Sequence, residues 1–126
     1  MSGEMVNIRL SSGATRVMEA IYEESGLFQD KVDVAKFAMS YALKNCFDEV
    51  ECESDVLKIE SDSEADGSNY NVGTIDNDRF VFDVIRLLYP EAESPYRLVR
   101  GLMVFGLERL GELKEKNELF PLSRWM

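Results

Sequence analysis

Asn7 and Arg9 are the residues of this chain best suited to recognition chemistry. They lie in Val6-Asn7-Ile8-Arg9-Leu10, where polar and apolar side chains alternate. A strand sends successive side chains to opposite faces. Met5, Asn7, Arg9 and Ser11 therefore share one face, and Val6, Ile8 and Leu10 share the other. Arginine donates a pair of hydrogen bonds to a guanine edge, and asparagine pairs with an adenine edge, both in the major groove. The Asn/Arg face thus carries base-reading chemistry, and it equally suits a solvent-facing strand edge.

The other reactive residue types point away from catalysis. There is no histidine, which removes the commonest general base and metal ligand. Cys46 and Cys52 stand six apart with no CxxC spacing, so free thiols are expected rather than zinc binding or redox catalysis. Ser11-Ser12-Gly13 offers helix-capping chemistry, and no partner base is in view to make a serine nucleophilic. Asp62-Ser63-Glu64-Ala65-Asp66-Gly67 opens like a calcium loop, but position twelve of such a loop falls on Gly73 instead of a bidentate Glu. No glycine loop cradles a phosphate. No enzyme activity, cofactor or metal is expected. Asp48, Glu49, Glu51, Glu53 and Asp55 admit two readings, an imitation of DNA phosphate spacing and a solvated linker.

The chain has 126 residues, 45% of them hydrophobic, including seven Phe, five Tyr and one Trp. That is enough for one compact domain with a real core, or two small units sharing one. No apolar run approaches the roughly 20 residues that span a bilayer, and no signal sequence opens the chain. A cytoplasmic protein without membrane association is expected. The formal charge is -10, the wrong sign for a nucleic-acid binder. Its distribution is uneven. Residues 46–78 hold one lysine against eleven acids, whereas residues 1–45 and 79–126 are each within one charge of neutral. The acidity belongs to the middle segment, and salt screens its field over about 10 Å.

The elements that must position Asn7 and Arg9 follow from periodicity. Residues 5–11 read as a strand. Ala14, Val17, Met18 and Ile21 mark one face of a helix over about 14–24, closed by Ser25-Gly26. A second helix is predicted over 31–44, apolar on most sides and therefore buried between partners. Residues 47–51 and 56–59 read as short edge strands or one frayed helix, and 61–68 as a solvated loop. A third helix is predicted over 77–88, with Phe80, Val81, Val84, Ile85 and Leu88 as its buried face and Tyr89-Pro90 as its stop. Ser94-Pro95 starts a fourth helix running to about residue 116, buried through Leu98, Leu102, Met103, Phe105, Leu107 and Leu110. The tail 119–126 is too apolar to idle. Phe120, Leu122 and Trp125 are candidates either to bind a protein partner or to close the protein's own core.

A shift of 64 residues superimposes the outer parts of the chain without a gap. Asn7 meets Asn71, Val17 meets Val81, Ile21 meets Ile85, Met39 meets Met103 and Leu43 meets Leu107. Such self-similarity predicts two strand-helix-helix units: residues 1–45, an acidic connecting segment 46–69, and residues 70–126 with the tail. Residues 70–75 would lie beside 5–11.

An apolar-Asn-apolar-Arg-apolar strand, a helix, a Gly turn and a more apolar helix resemble the Arc/MetJ-type ribbon-helix-helix proteins. The resemblance covers residues 5–45 and, as a degraded copy, 70–109. It implies a mainly α chain with a short antiparallel β-ribbon, here as a tandem pseudo-dimer that is monomeric or a homodimer. It also implies Met5, Asn7 and Arg9 as DNA readers, with residues 28–31 at a phosphate-facing helix end. Asp30 places a carboxylate at that end, which repels phosphate, and Gly73 stands where the copy would need its Arg. Gly26 to Ala38 is also similar to segments of small accessory proteins of DNA phosphorothioate-modification systems. The sequence therefore points to a non-enzymatic interaction or accessory protein in a DNA-related system. A transcriptional regulator using the Asn7/Arg9 ribbon and an acidic DNA-mimic inhibitor are the alternatives.

Overall fold

The computed structural model describes residues 6–125. Met5, and so its expected part in the ribbon, lies outside the described residues. Strand β1 (Asn7–Arg9) leads into helices α1 (Ser12–Ser25) and α2 (Lys31–Asn45), then α3 (Phe47–Val50) and α4 (Glu53–Asp62). Strand β2 (Asn69–Asn71) follows, then α5 (Val72–Ile75), α6 (Phe80–Leu88), α7 (Pro95–Glu115) and a closing 3-10 turn, Leu122–Trp125. The protein is mainly helical with one two-stranded antiparallel ribbon. Among the described residues no helix is long and apolar enough to cross a membrane.

The first strand-helix-helix run forms where its residue types demand. Ile8 and Leu10 are fully buried and Asn7 and Arg9 exposed, as the alternation requires; Val6 instead lies open. The Ser11 hydroxyl caps α1 by accepting from the Ala14 N–H at 3.1 Å. Ala14, Met18 and Ile21 form the buried face of α1. Gly26 ends the helix at φ 64, a left-handed conformation that costs glycine nothing. Helix α2 buries seven of its side chains, which its nearly all-round apolar character predicts.

Helix α7 is the centre of the molecule, packed by α1, α2, α4, α6 and β1. Two glycines let its neighbours approach closely. A Cβ on Gly101 would lie 2.8 Å from the Val56 carbonyl oxygen of α4, and one on Gly106 would lie 2.0 Å from the Ala38 carbonyl oxygen of α2. The chain thus crosses α7 with α2 and α4 at backbone contact distance, where any larger side chain would intrude.

Of the two readings open for residues 47–51 and 56–59, short edge strands or one frayed helix, the structure takes helix in two pieces: α3 ends at Val50, and α4 runs through 56–59, where Val56 packs against α7. Two sequence expectations change. Residues 72–75 form a helical turn, not a strand, despite Val72 and Ile75. The Asn71 side chain accepts from the Gly73 N–H at 2.7 Å, which turns the chain out of the ribbon immediately after Asn71. The third helix begins at Phe80 instead of residue 77, because the buried Asp76 carboxylate accepts from the Val81 and Phe82 N–H groups, each at 2.9 Å, and caps it from a distance. Tyr96 Oη donates to the same carboxylate at 2.8 Å, tying α6 to α7.

Tyr89 ties the end of α6 to α3, its buried hydroxyl donating to the Val50 carbonyl at 2.6 Å. Burial pushes its pKa up to about 12. Unfolded tyrosine ionises near 10. The folded state therefore holds this proton more tightly, and the resulting stability is complete below pH 10 and lost as pH rises toward 12. We expect denaturant titrations to show stability falling across pH 10–12. Tyr89→Phe should lie about 1 kcal/mol lower at neutral pH, from the lost hydrogen bond, with a shallower alkaline slope. The residual slope belongs to Tyr41, Tyr70 and Cys46, whose pKa values burial also raises. An unchanged slope in the variant would mean that Tyr89 does not control it.

Candidate interaction surfaces

The ribbon is made by one chain. Asn7 pairs with Asn71, Ile8 with Tyr70 and Arg9 with Asn69. Ile8 and the half-buried Tyr70 face the core, and the Tyr70 hydroxyl points to Met18 Sδ at 3.8 Å. Asn7, Arg9, Asn69 and Asn71 all face outward and are exposed. The second strand's outward residues are thus Asn69 and Asn71, and Asn69 stands opposite Arg9; Gly73, the repeat equivalent of Arg9, lies beyond the strand in α5. The face carries three carboxamides and one guanidinium. Asn69 was hidden in the sequence because it closes a polar run, and only strand pairing gives it a direction.

Arg9 is partly committed. Its Nη1 donates to the Gly67 carbonyl at 2.9 Å. Behind it lies an open cleft of about 480 Å³ lined by Asn7, Arg9, Asn69, Glu60, Arg97 and Arg100 among others. The Glu60 carboxylate takes up much of this positive charge. Arg97 donates to Glu60 Oε1 through Nε and Nη2, at 3.0 and 2.7 Å, and Arg100 Nη1 reaches Glu60 Oε2 at 3.0 Å. The buried Arg100 directs its other donors to the carbonyls of Arg9, Glu60, Ser63 and Glu64. It ties the ribbon to the end of α4. Two arginines in the apolar first half of α7 are the sequence signal for such a largely buried carboxylate, but its position, forty residues before Arg100, is not readable from spacing.

The helix ends beside a ribbon determine whether phosphates are welcome. The N-cap of α2 is Asp30, which forms a capping box with Asp33; the Asp30 N–H donates to Asp33 Oδ2 at 3.1 Å. Carboxylates occupy the place an anion would take. Phe28 stacks at an angle on Phe37, with ring centroids 5.7 Å apart, and Lys31 pairs with Glu19 at 3.4 Å. Before α7, Glu91 and Glu93 are exposed.

The acidic segment is bound into the fold. Arg109 holds Glu49 in a two-pronged ion pair, one bond at 2.7 Å, and this hydrogen bonding draws the Glu49 carboxyl below its usual range. Asp66 Oδ1 accepts from the Ser12 N–H at 2.7 Å, which places this residue of the calcium-like run at the start of α1. Cys46 is buried and Cys52 exposed, both as free thiols. Burial raises the Cys46 pKa, and its hydrogen bond with Tyr41 only partly offsets this, which keeps it in the poorly nucleophilic thiol form.

The tail folds back. Leu119 and Leu122 are buried. Trp125 meets Tyr41 edge-on at 5.7 Å and donates Nε1–H to the Leu119 carbonyl at 2.9 Å. Phe120 remains 39% exposed. Of the three tail candidates, then, Leu122 and Trp125 pack on the chain's own core and Phe120 faces outward.

The largest apolar exposure lies elsewhere, on α6. Phe80 is 66% exposed, Leu87 81% and Leu88 40%, with Val84 half-buried between them. These positions are i, i+4, i+7 and i+8, one face of the helix. The expectation that Phe80 and Leu88 are buried is corrected. Helix α6 turns Ile85 and, in part, Val81 and Phe82 into the core beside α7, and its apolar arc is wider than that contact covers. Two cations line the flank of this face: Arg79 lies 3.9 Å from the Phe82 ring centroid and Arg86 5.8 Å from it.

No family model, curated protein or solved structure matches the chain.

Proposed function

We propose that this chain is a non-enzymatic interaction protein, an accessory subunit in a DNA-related system, with a ribbon-helix-helix-like core arranged as a tandem pseudo-dimer. The observation that carries the interaction reading is the exposed apolar stripe of α6. Large exposed apolar patches on a small chain mark contact surfaces. The pseudo-dimer is supported by the pairing register. Asn7 and Asn71 are partners both in the 64-residue shift and in the antiparallel ribbon, so a local two-fold would pass between them. The same shift carries the start of α2 onto the start of α7. It also matches Ile21 with Ile85 and Met39 with Met103, all buried.

Capture from cell extract with wild type and a Phe80→Ser/Leu87→Lys variant tests the interaction reading. A partner held by wild type and lost from the variant is expected, and identical capture by both would remove the reading. A second reading, a DNA-binding regulator, is favoured by the outward set Asn7, Arg9, Asn69 and Asn71. Phosphate contacts supply most DNA affinity, and the acidic helix ends on the described chain oppose them. Fluorescence anisotropy with mixed-sequence duplex at low salt should therefore show no saturable binding. Saturable binding abolished by Arg9→Ala would put the regulator first.

A further inference from the structure

We infer that the cleft between the ribbon and α7 binds a phosphate dianion, free or as a monoester, on Arg9, Arg97, Asn7 and Asn69. The site is separate from the α6 stripe, so failure of either reading leaves the other standing.

The cleft, of about 480 Å³, falls in the size range of small-molecule sites, roughly 300–1,000 Å³. Its wall differs from most of them. Ala65 is the one apolar residue lining it among the described residues, so a ligand is held there by charge and hydrogen bonds, not by apolar burial. The wall carries three guanidinium groups, Arg9, Arg97 and Arg100, against the single carboxylate of Glu60, an excess of two positive charges. This stands out on a chain with a formal charge of -10. The nearby acids Asp62, Glu64 and Asp66 line a different cleft, which shares only Ser63 with this one.

Arg100 prepares the site without touching a ligand. Its five hydrogen bonds go to the Glu60 carboxylate and to the carbonyls of Arg9, Glu60, Ser63 and Glu64. A guanidinium has five N–H donors, so none is left over. The last carbonyls of a helix repel an anion, and Arg100 covers those at the end of α4. The donors that remain belong to its neighbours. Arg9 spends Nη1 on the Gly67 carbonyl, and Arg97 spends Nε and Nη2 on Glu60 and Ser61. Arg9 Nε and Nη2, Arg97 Nη1 and the Asn7 and Asn69 carboxamides have no hydrogen-bond partner among the described residues.

These donors come from β1, β2 and α7, and so approach one concavity from three elements. A phosphate monoester carries nearly two negative charges near pH 7 and three acceptor oxygens, which matches both the charge excess and the spread of donors. Arginine pairs well with such a group. A carboxylate offers one charge and two oxygens in a plane. A backbone phosphodiester offers one charge and is substituted on both sides, so the cleft does not imply duplex binding. The Arg97 side chain is 41% exposed, and water competes for its donors. Binding is therefore weak, in the millimolar range.

Titration of the isotope-labelled full chain with inorganic phosphate near neutral pH, at constant ionic strength, tests this by NMR. The Nε–H signals of Arg9 and Arg97 and the side-chain amides of Asn7 and Asn69 should shift together and saturate. Acetate and dimethyl phosphate, both monoanions, should bind about tenfold more weakly. Arg9→Gln should weaken phosphate binding about tenfold, and Arg9→Lys should recover only part of that, because it keeps the charge and loses the fork. Asn69→Asp puts a carboxylate into the cleft and should abolish binding. Arg9 and Asn69 are exposed, so these variants should fold normally, as circular dichroism would verify. Methyl phosphate binding no tighter than inorganic phosphate assigns the site to the free ion, and tighter binding assigns it to an ester. Shifts that do not saturate, or that spread evenly over lysines and arginines elsewhere, overturn the inference. So does an affinity left unchanged by either Arg9→Gln or Asn69→Asp.

Discussion

Arg100→Met should lower the stability of this protein by about 3 to 5 kcal/mol, with a fall in Tm of roughly 10 to 25 °C. Arg100 is 3% exposed and sends hydrogen bonds to four backbone carbonyls and to Glu60. Methionine preserves much of the stem but leaves those carbonyls without their donor. It also leaves a carboxylate that is 12% exposed with only the half-exposed Arg97 for company. Breaking one side of a buried ion pair costs more than the pair contributes, because the remaining charge stays desolvated. Arg100→Lys should recover little, since an ammonium cannot fork across the Arg9, Glu60, Ser63 and Glu64 carbonyls. Urea unfolding measures both variants. A loss below about 1 kcal/mol for Arg100→Met would show that water replaces the guanidinium readily and that the ribbon does not depend on it.

Gly106→Ala should cost about 3 kcal/mol, at the upper end for overpacking. In an ordinary helix interior this change is favourable by up to about 1 kcal/mol. Here the new methyl carbon would lie 2.0 Å from the Ala38 oxygen and 2.6 Å from its carbonyl carbon. Both are backbone atoms of α2, so relief requires the two most extensively packed helices to separate. Gly13→Ala is the matched control. It is also helical, nothing lies within 4 Å of its added Cβ, and it should stabilise by about 0.5 to 1 kcal/mol. Thermal unfolding of the two variants should move in opposite directions. A stabilising Gly106→Ala would mean that α2 and α7 do not meet closely at this point.

Much of the fold was legible because local rules suffice for it. The Ser11 cap, the Gly26 stop, the apolar face of α1 and the Ser94-Pro95 start of α7 each depend on residues within a few positions of one another. The ribbon partner of β1 was legible for a different reason, since the 64-residue shift pointed at the stretch holding Asn71. The shift did not fix the register, which centres the antiparallel pair on Asn7 and Asn71 and sets Asn69 opposite Arg9. The stretch 72–75, with Val72, Thr74 and Ile75, misled, because the hydrogen bond from the Gly73 N–H to the Asn71 side chain outweighs a weak strand preference. The acidic segment also misled. Its charges suggested a solvated connector, but Val56 packs on α7 and Arg109 and Arg100 bind Glu49 and Glu60.

By itself, the sequence determined the alternation that exposes Asn7 and Arg9, the helical phases, the self-similarity and the placing of the acids in the middle third. These are properties of neighbours along the chain, where periods of two and 3.6 residues translate directly into faces. Tertiary structure alone decided which apolar faces are covered. Helix α6 has an apolar arc wider than its contact with α7 covers, so Phe80 and Leu87 were left in solvent while Leu122 was buried and Trp125 partly so. Burial depends on how many elements arrive at a surface, and that number is set by packing around α7, not by the residues of any one helix.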